Sequence, residues 1–76
     1  MNLNGINDQT WVSVINGTKP VKLDFLGLQL LISNLRQRLR TGEITPATAV
    51  NDLKTFFTKY SSLPTAQNDF NKIAKL

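Results

Sequence analysis

The apolar positions in the middle of the chain repeat with helical spacing. The main stripe has four members: Leu28, Ile32, Leu35 and Leu39. They recur at i, i+4, i+7 and i+11, which places them on one face of an α-helix. Gly42 supplies a C-terminal stop signal shortly afterwards. The pattern therefore predicts one long helix over about residues 21–40.

Two further helices are predicted after this one, and a proline opens each of them. Thr45 is a suitable cap with Pro46 at the first helical position. The stripe of that helix comprises Ala49, Val50, Leu53, Phe57 and Tyr60, with Phe56 at its edge. A last short helix begins at Pro64, and its apolar positions suit docking onto the second and third helices: Ala66, Phe70, Ile73 and, at the margin, Ala74.

The N-terminal stretch admits two interpretations, and both stay open. As a β-hairpin, residues 11–15 and 18–23 are strands joined by Asn16-Gly17, a favoured two-residue turn. Pro20 weakens this interpretation, because its missing N–H would interrupt the ladder. As a short helix, Asn7 is the N-cap and the same glycine ends the element. The balance slightly favours the helix.

The predicted elements make one all-α domain. The short connection after Gly42 makes the two long helices antiparallel neighbours, so we expect a three- to four-helix bundle built on an α-hairpin. Residues 1–76 form a single domain in this interpretation, with residues 1–6 frayed. A chain of this length buries only about 60% of its unfolded surface, so its core is thin and a partner subunit would add stability.

The composition argues against catalysis. Cysteine and histidine are both absent, which removes thiolate and imidazole ligands, the usual nucleophile systems and the usual general base. The five acidic residues are spread along the chain: Asp8, Asp24, Glu43, Asp52 and Asp69. We therefore expect no enzyme activity, no metal, no cofactor and no small-molecule substrate.

The N-terminus, the apolar runs and the net charge give general expectations about location and partners. The N-terminus has no charged start followed by an apolar stretch, so a soluble protein in the cytoplasm is expected. No apolar run approaches the ~20 residues that a membrane span needs. The net charge of +4 and the sequence pI of about 9.9 favour anionic partners only in a general way.

The first half of the long helix is apolar on two sides. At about 100° per residue, Leu23, Leu26 and Leu30 fall nearly opposite the main stripe. Such a second face must be covered, either by the N-terminal segment through Trp11 and its neighbours or by another chain. The second option makes these three leucines, with help from Trp11, a candidate protein interface.

Gly27 lies within the same segment and has two explanations. A glycine inside a helix costs about 0.5–1 kcal/mol relative to alanine. Close approach of another element to the backbone would account for it. A helix that begins later, near Gly27, accounts for it equally well.

A second candidate site is basic. Lys22, Arg36 and Arg40 follow one side of the long helix, and Arg38 projects elsewhere. The four cations are candidates for contacting phosphates or other anions. No aromatic residues are interleaved with them, and a solvated helix face explains the same pattern.

These features rank the possible functions. The leading hypothesis is a small protein-protein interaction module that binds itself or another protein, as a homodimer or as an accessory or regulatory subunit. A nucleic-acid-binding domain that contacts phosphates is the alternative. An inhibitor or immunity-type protein that plugs a larger enzyme is a third, and the sequence cannot separate it from the first.

Overall fold

The chain folds into four α-helices, and the structure, a computed structural model, describes all 76 residues. The helices are α1 (Asp8–Asn16), α2 (Leu26–Arg40), α3 (Pro46–Lys59) and α4 (Pro64–Ala74). There is no strand, so the all-α helical bundle is confirmed and the N-terminal segment adopts the helical alternative. None of the helices combines the length and apolar character that crossing a membrane requires.

Helix α1 is bounded by local signals at both ends. The Asn7 side chain accepts hydrogen bonds from the backbone N–H groups of Gln9 and Thr10, at 2.8 and 3.3 Å. At the other end Gly17 adopts a left-handed conformation with φ of 79°. Its N–H bonds the Val14 carbonyl while the next residue bonds that of Ser13, the pairing of a Schellman motif.

Helix α2 begins at Leu26 and not near residue 21, so the longer helix expected from the sequence is wrong and the later start is correct. Phe25 is its N-cap and supplies no side-chain hydrogen bond. The buried carboxylate of Asp69, on α4, accepts instead from the N–H groups of Asp24 and Phe25 at 2.8–3.1 Å. Residues 17–25 therefore form a loop whose end is fixed by α4.

The hairpin between α2 and α3 follows the predicted pattern. Gly42 ends α2 with φ of 76°, and Glu43 N–H bonds the Arg38 carbonyl at 2.9 Å. Thr45 caps α3 through Thr48 N–H at 3.2 Å. Pro46 then occupies the first helical position, where its missing N–H is not needed.

Helices α1 and α3 lie at the centre of the packing. Helix α1 packs against each of the other three, and α3 packs against α2 and α4. The expected docking of α4 onto the second and third helices is thus half right, because α4 packs mainly on α1 and α3. The loop from Gly17 to Phe25 links α1 to α2, and Asp69 on α4 holds the end of this loop through hydrogen bonds.

Three aromatic rings form the middle of the core. Trp11, Phe57 and Phe70 come from α1, α3 and α4, with ring centroids 5.4–6.0 Å apart. Trp11 and Phe57 are completely buried. The inward stripe of α2 closes the core from the fourth side through Leu28, Ile32 and Leu35.

The segment before α1, expected to fray, forms a single 3-10 turn over Leu3–Gly5. Asn2 caps this turn by accepting the Asn4 N–H at 3.1 Å. Ile6 follows it and is buried in the core cluster, with Leu3 packed against that cluster.

Candidate interaction face

Two leucines on α2 point away from the core. Leu26 is 65% exposed and Leu30 is 62% exposed, more than any other large apolar side chain of the protein. Because they are four residues apart on one helix, they lie side by side on its outer surface. We call Leu26 and Leu30 the leucine pair. No segment of the chain covers it.

The other two residues of the predicted interface have different environments. Leu23 precedes α2, is half-buried and packs against the core cluster. Trp11 has no exposed surface at all, so its proposed contribution to an interface is wrong. Its indole packs against the rings of Phe57 and Phe70. The alternative that α1 shields the outer leucines also fails, because Leu26 and Leu30 remain exposed.

An aromatic cluster adjoins the leucine pair. Phe25, Phe56 and Tyr60 are half-buried, with ring centroids 4.7–5.2 Å apart. A Cβ atom at Gly27 would lie 2.9 Å from the Phe25 ring. Gly27 is therefore required for the close approach of this ring to the first turn of α2, and the late helix start explains only part of its presence.

On the other side of α2 there is an open groove of about 600 Å³. It lies between the loop after α1 and the helix, and we call it the basic groove. Its lining residues are Val14, Gly17, Lys19, Pro20, Val21, Lys22, Leu23, Gln29, Ile32, Ser33 and Arg36. The set contains three cations, four large apolar side chains and no carboxylate, so the groove is positively charged with an apolar floor.

Arg36 is held in place at one end of the basic groove. Its Nε donates to the Ile15 carbonyl at 2.6 Å and its Nη2 to the Val14 carbonyl at 3.5 Å. These carbonyls belong to the last turn of α1, where a cation also complements the helix dipole. The two bonds use two of the five N–H groups of a guanidinium, which leaves donors available to a ligand.

The one acidic residue of the loop faces away from the basic groove. The Asp24 carboxylate accepts from Lys72 Nζ at 2.9 Å and from Asn68 Nδ2 at 3.3 Å, both on α4. The hydrogen bond from Lys72 and the charge of this lysine lower the pKa of Asp24, with a smaller contribution from Lys22. Lys72 Nζ also bonds the Lys22 carbonyl at 3.0 Å, so α4 neutralises the acid and fixes the loop.

The four cations predicted as an anion site do not lie on one surface. Lys22 and Arg36 both line the basic groove. Arg38 lies on another side of α2, with its Nε 3.5 Å from a Glu43 carboxylate oxygen. Arg40 is exposed one turn beyond Arg36 and does not line the groove.

Two residues of this region escaped the sequence analysis. Lys19 joins the basic groove because the loop folds back over α2, and helical periodicity cannot place a loop residue. Asp69 had a usable signal. It lies three residues after Ala66 and four before Ile73, so the apolar pattern of α4 already put this carboxylate on the buried face.

The acidic side chains of the protein do not gather into a second candidate site. No three acidic side chains lie close enough together to hold a metal ion. Comparison with protein-family models, with curated proteins and with solved structures finds no match to this chain. The surface features that could bind a partner are the leucine pair, the aromatic cluster and the basic groove.

Proposed function

We propose that this chain is a non-catalytic protein-interaction module that binds a partner protein through the outer face of α2. The observation that carries the proposal is the exposure of the leucine pair, at 65% and 62%. Both side chains lie on α2, whose start is held by Asp69 and whose end is marked by Gly42, so the surface is presented on a regular helix. The expected form is a homodimer or an accessory or regulatory subunit.

The energetics support this use of the leucine pair. Full burial of a leucine side chain is worth about 1.5–3 kcal/mol. The isolated chain leaves about two thirds of this gain unrealised, because most of each side chain remains in water. A partner that covers both would gain on the order of 2–4 kcal/mol from them, enough to make them central to an interface.

The half-buried rings next to the pair extend the apolar surface. Phe25 is the chain neighbour of Leu26, and its ring contacts those of Phe56 and Tyr60. Tyrosine and phenylalanine are favoured at interface centres because they combine large area with few rotatable bonds. An apolar centre with a charged border at the basic groove is the usual arrangement of a protein interface.

Nucleic-acid binding, the alternative, has less support from the geometry. The four cations proposed for it do not share one surface, since Arg38 pairs with Glu43 and Arg36 bonds the end of α1. No aromatic side chain lines the basic groove, where it could stack on bases.

Site-specific photocrosslinking in the source cells tests the proposal. A photoreactive amino acid at position 26 or 30 should give a discrete protein adduct. The same group at the exposed positions Thr55 on α3 and Asn71 on α4 should not. The proposal fails if positions 26 and 30 give no adduct, or only the adducts given by the control positions.

Sedimentation of the purified chain separates the two forms of the proposal. A homodimer predicts twice the chain mass at micromolar concentration and dissociation by Leu26→Glu or Leu30→Glu. An accessory subunit predicts a monomer in which both variants keep the fold. Leu76→Glu, at a 41% exposed leucine near the C-terminus, is the matched control.

A further inference from the structure

None of the three cations of the basic groove forms an ion pair within the chain. Only Arg38, Lys54 and Lys72 form ion pairs, and none of these lines the groove. Asp24, the nearest acidic residue along the chain, is bound by Lys72 on the far side of the loop. The groove thus presents uncompensated positive charge over apolar side chains.

The groove and the leucine pair form one continuous surface. Gln29 and Ser33 line the groove from α2. At about 100° per residue, Ser33 lies next to Leu26 and Leu30 around the helix. A ligand that fills the groove and extends across this row therefore meets cations on one side and the two leucines on the other.

Building on the proposed function, we infer that the partner is an acidic, amphipathic segment of another protein. Its carboxylates are bound by Lys19, Lys22 and Arg36, and its apolar side chains cover the groove floor and the leucine pair. Arg36 offers a planar group to a carboxylate while its bonds to α1 hold it in position. An acidic peptide is the expected occupant because the surface supplies charge of one sign only.

A second copy of this chain fits the same surface poorly. A two-fold interface places the same patch of both copies in contact. Lys22 and Arg36 would then approach their own equivalents, with no carboxylate on the surface to separate them. Like charges placed together at an interface oppose association.

Nucleic acids and anionic membranes match the surface less well than a peptide does. Phosphate backbones need cations but gain nothing from Val21, Leu23 and Ile32 on the floor. A lipid surface is broad and flat, whereas the cations here border a concave groove of about 600 Å³. Side chains of a peptide can enter such a groove, so both charge and shape favour the peptide.

Selection from a display library of random peptides of about 14 residues tests the inference without a known partner. The bait is the wild-type chain at about 50 mM salt, where exposed charge pairs are least screened. We expect the enriched peptides to carry net negative charge with apolar residues at helical spacing. Enrichment of neutral or basic peptides, or no enrichment, overturns the inference.

The same selection is repeated with two charge-matched variants. Lys19→Gln/Lys22→Gln changes the groove, and its side chains are exposed, so the fold is preserved. Lys54→Gln/Lys75→Gln removes two cations that lie outside the groove and do not touch the aromatic cluster, since Lys54 pairs with Asp8 and Lys75 is exposed. Selected peptides should bind the first variant about three- to tenfold more weakly and the second almost normally. Equal weakening would mean that only net charge matters, and it overturns the inference.

Duplex DNA, single-stranded RNA and vesicles with about a third anionic lipid are compared with the peptides at the same salt. The inference predicts tighter binding of the selected peptides. If a nucleic acid or the vesicles bind more tightly than the peptides, and this binding is lost in Lys19→Gln/Lys22→Gln, the groove is assigned to that ligand instead. If a partner crosslinked at positions 26 and 30 binds both lysine variants equally, the inference about the groove is wrong. The proposed function of the leucine pair would still stand.

Discussion

The two sides of α2 carry the same residue type in opposite environments. Leu28 and Leu35 face the core and have no exposed surface, whereas Leu26 and Leu30 are 65% and 62% exposed. All four belong to one helix of 15 residues. The inner pair packs against the other helices, and the outer pair has nothing of this chain to pack against.

Side-chain chemistry alone therefore does not assign a leucine to the core or to a binding surface. The inner leucines lose their water contacts when the chain folds, so they contribute to the free energy of unfolding. The outer leucines stay hydrated in the folded and the unfolded chain and contribute little. Substitutions on the two sides should therefore affect different measurements, stability on one side and binding on the other.

Leu35→Ala should have the largest effect on stability. Removing the buried side chain leaves a cavity, and such changes typically cost about 2–5 kcal/mol. Typical stabilities of about 0.05–0.15 kcal/mol per residue imply that this is a large part of the total for so short a chain. Urea unfolding followed by circular dichroism measures it, and a loss under about 1 kcal/mol would contradict a core role for the inner side.

Asp69→Asn should have the next largest effect, because the carboxylate accepts hydrogen bonds from the backbone N–H groups just before α2. Hydrogen bonds to charged groups contribute about 1.5–3 kcal/mol to stability. We therefore expect a loss of about 1–3 kcal/mol in the free energy of unfolding. Hydrogen exchange should quicken at the amides of Asp24 and Phe25. If these amides stay protected, another group fixes the start of the outer face.

Gly17→Ala should cost about 1–2 kcal/mol, since an L-residue is strained at a positive φ and the new methyl lies close to Arg36. The added Cβ would be 3.2 Å from Nη2 of that arginine. Gly42→Ala is the matched control, with a similar φ of 76° and nothing within 4 Å of the added atom. Thermal unfolding of both variants measures how much of the loss of stability comes from the contact with Arg36. Equal losses of stability in the two variants would show that this contact contributes nothing.

Lys72→Gln should change the pH dependence of stability slightly. The ion pair lowers the pKa of Asp24 below its ordinary value of 3.8. Its contribution is therefore present above that value and is lost as the pH falls through the lowered pKa. The substitution should raise the pKa of Asp24 towards 3.8 in an NMR titration. Lys54→Gln, which breaks a separate ion pair with Asp8, should leave it unchanged.

Leu26→Gln/Leu30→Gln should have the smallest effect on folding, within about 0.5 kcal/mol of wild type. Both side chains are mostly exposed in the folded chain, so their removal leaves no buried cavity. Chemical denaturation measures this value beside that of Leu35→Ala. A loss of about 2 kcal/mol would show that the outer leucines support the fold, and the contrast between the two sides would disappear.

The parts of the fold that the sequence predicts are those set by nearby residues. Asn7, Gly17, Thr45 and Pro46 each act within a few positions of themselves, and every one of these caps and starts is confirmed. The start of α2 was ambiguous because it depends on Asp69, which is 44–45 residues away from the groups that it binds. Periodicity within a segment carries no information about such a contact.

The candidate site is also predictable only in the part that local helical geometry sets. The exposure of Leu26 and Leu30 follows from their position opposite the inner stripe. The burial of Trp11 does not follow, because tryptophan is common both in cores and at interfaces. The basic groove depends on a loop folding over α2, so its cations converge only in three dimensions.

The most direct test of the account is the accessibility of the leucine methyl groups in the free wild-type chain. A soluble gadolinium chelate broadens NMR signals in proportion to their exposure. Chains with ¹³C-labelled leucine methyl groups should show strong broadening at Leu26 and Leu30 and almost none at Leu28 and Leu35. Protection of the outer pair equal to that of the inner pair would contradict the claim that this surface is open to a partner.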